Sequence, residues 1–217
     1  MIELNESQKK VFNEAIDWWR NGSEQTFEIS GPPGSGKTFL INTIVNALGI
    51  DVNRIAPMAY TGSAAINMRT KGMHNAGTIF SWLYDFKEVP IIDDKGSPIL
   101  DPVFNKPKYK MIFMPKECLY GFDLIIIDEA GMVPVEMRAV IDKMGIPVIA
   151  AGDIDQLPPV VGKAGYLTEQ WKVHKLTEIM RQANDNTIIK FSQMLIKGIP
   201  LPHGKFKNVT VLYEDEV

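Results

Sequence analysis

TFEISGPPGSGKTFLINTIVNALG, residues 26–49, decides how the rest of the chain is read. It opens as a short strand, TFEIS (26–30). It closes as an amphipathic helix, KTFLINTIVNALG, with Ile41, Ile44, Val45 and Leu48 inward and Gly49 just past its end. Between them GPPGSGKT (31–38) matches G-x-x-x-x-G-K-[ST] at every fixed position, in the strand–loop–helix setting that the pattern requires. A polyphosphate needs many N–H donors at close range. Gly31, Gly34 and Gly36 have no Cβ, so this loop, completed by Pro32, Pro33 and Ser35, can wrap its amides around an anion. The helix that begins near Lys37 adds the positive end of its dipole. Lys37 is expected to reach the β- and γ-phosphates of ATP, and Thr38 to hold Mg²⁺. The alternative is an ordinary Gly/Pro-rich turn, for which the fixed positions have no reason to match together.

Outward from this unit the chain alternates short apolar runs with helical patterns, which predicts an α/β fold: a P-loop NTPase (RecA-like) parallel sheet flanked by helices. SQKKVFNEAIDWWRNG predicts a helix with Val11, Ala15, Trp18 and Trp19 on one face and Asn21-Gly22 as its stop. RIAPMA (54–59) reads as a strand, followed by helices over Ser63–Arg69 and TIFSWLY (78–84). Strand DLIII (123–127), helix VPVEMRAVIDKMG, strand PVIAA (147–151), helix NTIIKFSQMLIKG and a last strand VTVLY (209–213) complete the series. From about Phe86 to Tyr120 the rhythm breaks. Five prolines (90, 98, 102, 107, 115) and the turn signal DDKG at 93–96 predict an inserted hairpin or small subdomain.

Two polar signals stand at the ends of apolar runs. DLIIIDEAG places Asp128 and Glu129 where a fully buried central strand stops, the edge at which such sheets bind ligands. One carboxylate can hold Mg²⁺ and the other can orient and deprotonate water, so Asp128 is assigned to the metal and Glu129 to the water. An N-cap pair for the next helix is the competing reading. In VIAAGDIDQLPPV (148–160), Gly152-Asp153 makes the exit from the next strand, and Pro158-Pro159 stiffens the end of the loop. Gln156 is thereby expected near the γ-phosphate, as a sensor of the nucleotide. A merely polar, proline-stiffened turn is the alternative.

Bulk properties bound the partners. With 217 residues, 45% hydrophobic and 23% charged, the chain can build a core and fits one large domain or a domain with a subdomain. A net charge of −3 gives no global basic field, so nucleic acid would need a local groove. The single cysteine, Cys118, excludes an internal disulfide and fits a cytoplasmic setting. No apolar run approaches the ~20 residues needed to span a bilayer, so no membrane is expected. His74, His174 and His203 lack metal-ligand spacing and read as surface or satisfied residues.

The order of these signals resembles the superfamily 1 DNA helicases, in particular the RecD-like and Dda-like branch (superfamily 1B). GDIDQLPPV looks like motif III, GPPGSGKT motif I and IIIDEAGMV (125–133) motif II. LNESQ (4–8) is similar to the Q motif, APMAYTGSAA (56–65) to motif Ia, GTIFSWL (77–83) to motif Ib and LTEIMRQA (176–183) to motif IV. The resemblance implies an ATP-dependent motor that moves 5′ to 3′ on single-stranded DNA, with replication or recombination proteins as its setting. It implies that Gln8 reads the adenine and that Arg181 faces the γ-phosphate. A capping box from Asn5 to Gln8 is the other reading of Gln8. The resemblance further implies single-strand contacts by Pro57, Tyr60, Thr61 and Thr78, with Tyr60, Phe80 and Trp82 as stacking groups or, for the last two, core residues. In NKPKYK (105–110), Lys106 and Lys108 suit a phosphate track or a lysine-protected edge strand. Two departures are visible: Met58-Ala59-Tyr60 precedes Thr61-Gly62 in motif Ia, and Phe80 stands where motif Ib often has histidine. The domains expected are a RecA-like ATPase domain (1A) over 1–85 and 121–217 and a 1B-like insertion over 86–120. The family's second RecA-like domain is not expected within these 217 residues, as in a truncated chain or a naturally short ATPase. A AAA+-type ATPase and a nucleotide-dependent binding module with little turnover are the competing functions.

Overall fold

The computed structural model describes residues 3–22, 24–178, 187–196, 198–206 and 209–212. Among these, the chain forms in order α1 (Glu6–Asn21), β1 (Thr26–Ser30), α2 (Lys37–Leu48), β2 (Ile55–Ala59), α3 (Gly62–Thr70), β3 (Gly77–Thr78) and α4 (Ile79–Leu83). A hairpin of β4 (Tyr84–Pro90) and β5 (Tyr109–Pro115) interrupts the series. It resumes with β6 (Leu124–Asp128), α5 (Val135–Lys143), β7 (Val148–Gly152) and β8 (Val173–Lys175), and closes with α6 (Thr187–Ile196), β9 (Gly204–Phe206) and β10 (Val209–Val211).

Six strands form a parallel sheet in the order β3-β2-β6-β7-β1-β8. The order explains the continuous apolar runs. β6 and β7 lie inside the sheet and are covered on both faces, so alternate residues feed two cores. Leu124 and Ile126 join α1 and α2 on one side. Ile125 and Ile127 join α4 and α5 on the other. Each fully buried isoleucine contributes about 1.5–3 kcal/mol.

Glu28, on the β1 face that it shares with Thr26 and Ser30, is the one charged residue of that strand and only 2% exposed. Arg138 of α5 donates to its Oε1 at 2.8 Å, and the Leu167 amide donates to Oε2 at 2.6 Å. Arg138 also donates to the Gly165 carbonyl at 2.6 Å and lies over the rings of Trp171 (3.9 Å) and Tyr166 (4.6 Å). This buried pair ties β1 to α5 and to the loop beyond β7. Burial pushes the Glu28 carboxyl above its ordinary range, against the pull of its hydrogen bonds.

The predicted elements fall within a residue or two of the observed ones, with three added strands among the described residues, β3, β8 and β9. β3 is two residues long, and Pro57 supplies the reason. It has no N–H to donate, and β3 begins to pair with β2 only beyond it, at Met58↔Gly77. β8, in VHK, is a three-residue edge strand paired to β1 at Glu28↔Val173.

The hairpin pairs from Tyr84↔Pro115 to Pro90↔Tyr109 and is prolonged by bridges Ile92↔Pro98 and Leu100↔Pro107. Its turn forms at DDKG: Asp93 Oδ1 accepts from Lys95 and Ser97, and Gly96 takes φ 81°. No described helix is long and apolar enough to cross a membrane.

Candidate nucleotide site

Strands β1, β2, β6 and β7 end at Ser30, Ala59, Asp128 and Gly152, along one edge of the sheet. The loop after β1 is drawn against the end of β7 by a hydrogen bond from the Gly31 amide to the Gly152 carbonyl, 3.1 Å. Its turns need left-handed backbone: Gly34 has φ 82° and Gly36 φ 81°. Gly36 is the N-cap of α2 and supplies no side-chain cap, so the amides of the first turn are left for an anion.

Lys37 is the first residue of that helix. Its ammonium donates to the carbonyls of Gly31 and, at 3.2 Å, Pro32. Burial holds its pKa below the ordinary 10.5, the carboxylates of Asp153 and Asp128 pull the other way, and Lys71 adds to the lowering. A cation tied only to loop carbonyls is ready to exchange them for phosphate oxygens.

A cavity of about 620 Å³ opens over the loop, within the usual ~300–1,000 Å³ of small-molecule sites. Pro33, Gly34, Gly36, Lys37 and Thr38 line it from the loop, and Asp128, Glu129, Gly152, Asp153 and Gln156 from the neighbouring strand ends. Gly31 and Ser35 lie buried beneath the loop. The donor set fits a metal-bound nucleotide. There is a hydroxyl at Thr38, a carboxylate at Asp128, an ammonium at Lys37 and a helix N-terminus without a cap.

Asp128 and Glu129 do not cap a helix. The 3-10 turn Ala130–Met132 that comes next has Glu129 as N-cap residue but no side-chain cap bond. Asp128 Oδ1 instead accepts from the Glu129 amide at 3.0 Å, and Glu129 Oε2 accepts from Thr61 Oγ1 at 3.0 Å. Glu129 has φ 57°, a left-handed backbone that costs a non-glycine residue ~1–2 kcal/mol. Such strain is found where a side chain is being aimed. Asp153 accepts from the Asp155 amide at its side chain and from the Gln156 amide at its carbonyl, closing the turn that brings Gln156 to the cavity.

At Gln8 the capping box expected as its other reading is formed. Gln8 is 1% exposed and both ends of its amide are engaged by the chain. Oε1 accepts from the Asn5 amide at 3.1 Å, and Asn5 Oδ1 accepts from the Gln8 amide at 2.8 Å, a complete capping box. Nε2 donates to the Ser35 carbonyl at 2.9 Å. Gln8 is thus a strut between α1 and the phosphate loop, and contact with a base would require breaking one of these bonds. Arg181 lies outside the described residues.

Of the expected nucleic-acid contacts, Tyr60, Thr61 and Thr78 gather at the carboxyl edge, where Ala59 pairs with Thr78. Pro57 does not join them; it is buried within β2. Lys106 and Lys108 are exposed on the hairpin, outside the cavity. Phe80 is 46% exposed beside Tyr84 and Phe113, whereas Trp82 packs edge-on against Phe122. His174 is a satisfied residue, paired with Glu14 and stacked on Phe27.

Sequence reasoning missed Asn42, Asn67, Lys71 and Asp153, all of which line the cavity. Helical spacing carries the signal for three of them. Asn42 is four residues after Thr38, Ala64 and Asn67 fall on one face of α3, and Lys71, its C-cap residue, continues the same spacing.

Comparison with known proteins agrees with this geometry. A family model described as an AAA domain matches residues 3–208. The ATP-dependent DNA helicase PIF1 of Trypanosoma brucei brucei (strain 927/4 GUTat10.1) is 26% identical over 203 residues, covering 91% of this chain and 20% of that protein. ATP-dependent DNA helicase Pif1 of Psychrobacter sp. (strain PRwf-1) is 28% identical over 178 residues, covering 71% of this chain and 25% of that protein. The chain therefore spans a fifth to a quarter of the length of these relatives. The crystal structure of Bacteroides Pif1 bound to ssDNA superposes with a TM-score of 0.53 at 22% identity, covering 90% of this chain and 46% of that one, and shares its fold.

Proposed function

Since the chain belongs to the AAA domain family, whose model matches residues 3–208, we propose that it is the ATP-binding and hydrolysing motor domain of a helicase that translocates 5′ to 3′ on single-stranded DNA. The observation that carries this reading is one cavity lined at once by Lys37, Thr38, Asp128, Glu129 and Gln156. In this reading Lys37 releases the loop carbonyls for the β- and γ-phosphates, and the amides at the start of α2 hold the phosphate oxygens. Thr38 and Asp128 hold Mg²⁺, which supplies charge neutralisation at the phosphates. Glu129 leaves Thr61 to orient water and accept its proton, and Gln156 reports the γ-phosphate to its loop. The motif IV resemblance assigns Arg181 to the γ-phosphate.

The single strand runs over Tyr60, Thr61 and Thr78, with Phe80 available for base stacking, and the lysines of the hairpin extend the track. Residues 86–120 serve as a 1B-like insertion on a 1A domain. The setting is cytoplasmic DNA replication or repair, on the RecD-like branch. Both curated relatives are named as DNA helicases. The competing reading is a AAA+-type ATPase, which a nucleotide-induced hexamer would favour.

The test is fluorescence anisotropy of a labelled single-stranded oligonucleotide with Mg·AMP-PNP or Mg·ADP. A motor domain binds the strand with different affinity in the two states, and Lys37→Ala erases the difference. Affinity independent of nucleotide in the unmodified chain refutes the proposal.

A further inference from the structure

α3 is fastened to the nucleotide site at both ends. At its start Thr61 caps the helix through the Ala64 amide and donates to Glu129. At its end stands Lys71, whose Nζ donates to Thr38 Oγ1 at 3.3 Å. Asn42 of α2 fixes the same corner, donating from Nδ2 to the Lys71 carbonyl at 3.3 Å. Lys71 is exposed and lines the cavity. Among the described residues no carboxylate lies within ion-pair distance of it. Two ammonium groups thus face one cavity. Lys37 is tied to loop carbonyls, and Lys71 rests on the hydroxyl that the nucleotide reading gives to the metal.

We propose that Lys71 is a second phosphate-binding cation that stands in for the metal at Thr38. A lysine on a flexible four-carbon stem is a compact, movable point charge. Without metal it keeps a positive charge where the β- and γ-phosphate oxygens will lie, so metal-free nucleotide can bind. When Thr38 is taken by the metal, Lys71 turns outward along the same phosphates, where its contribution overlaps with the metal's. Simple compensation of the α3 dipole would not account for the geometry, because the ammonium is bonded across to α2. The proposal rests on the nucleotide reading of the cavity.

The test is calorimetric titration with AMP-PNP, in Mg²⁺ and in EDTA, of the unmodified chain, Lys71→Met, Lys71→Arg and Lys37→Ala. One charge-assisted hydrogen bond corresponds to roughly ten- to a hundredfold in affinity. Lys71→Met is expected to lose at least about tenfold in EDTA and clearly less in Mg²⁺, with Lys71→Arg recovering most of the EDTA loss. An equal loss in both conditions, or none in EDTA, overturns the metal stand-in. Lys37→Ala separates the two levels of the argument. If it abolishes binding while Lys71→Met does nothing, Lys71 alone is misassigned. If it too does nothing, the nucleotide reading falls.

Discussion

Gln8→Ala should weaken the fold by anchoring loss rather than blind the site to adenine. The Gln8 side chain is buried, and its Nε2 satisfies the carbonyl of Ser35, a residue with no exposure at all. Removing that donor strands a buried acceptor, at ~1–3 kcal/mol. Losing the reciprocal bond to the Asn5 amide at 3.1 Å adds about 0.5–1.5 kcal/mol. Alanine is itself a good helix former, so no propensity penalty enters. The sum is about 2–4 kcal/mol. For a chain of this size each kcal/mol moves Tm by ~2–4 °C, so the expected fall is on the order of 5–15 °C. Thermal unfolding gives that number, and a parallel titration with ATP and GTP analogues gives selectivity. The strut account predicts a lower Tm and a similar loss of affinity for both nucleotides, because the damage is to the phosphate loop. An unchanged Tm with selective loss of the adenine nucleotide would refute it.

The same contacts predict the outcome of other perturbations. Arg138→Met leaves Glu28 buried and unpaired and should destabilise by about 3–5 kcal/mol; Glu28→Gln on top of it should recover part of this in denaturant unfolding. Gly31→Ala places a Cβ 2.7 Å from Ser35 Oγ and 2.9 Å from Leu176 Cβ, so nucleotide affinity should drop even though φ is not left-handed there. Alkaline pH should weaken nucleotide binding early. The Lys37 pKa in the free site lies below 10.5, its ammonium is the form that binds phosphate, and so affinity is flat on the acid side of that pKa and falls as pH rises through it. A binding–pH profile checks this, and a fall only at the ordinary lysine value would contradict it.

The sheet was legible in the sequence because its strands are buried on both faces. LIIID and VIAA leave no polar position for a helix face, and their lengths are set by the charged or glycine residues at their ends. The phosphate loop was legible for a different reason: glycine, lysine and threonine are needed there in fixed order. What escaped was set by partners distant in sequence. β8 is three residues whose strand character comes from pairing with β1, and nothing in VHK announces it. β3 begins only past a proline on the neighbouring strand. The role of Gln8 turned on Ser35, 27 residues away, and that of Glu129 on Thr61, 68 residues away. Asp153 was read as part of a turn because its second function, facing Lys37 across the cavity, exists only once β7 lies beside β1.

In the proposed function GPPGSGKT and the carboxylates at the end of β6 form one nucleotide site with separate tasks. The most direct measurement is a fluorescence titration with a labelled, non-hydrolysable ATP analogue and Mg²⁺ on the unmodified chain, Lys37→Ala and Glu129→Gln. The account predicts saturable binding that Lys37→Ala weakens by about a hundredfold and Glu129→Gln leaves within about threefold, since Glu129 acts on water rather than on the phosphates. Binding that survives Lys37→Ala, or that Glu129→Gln destroys equally, would contradict it.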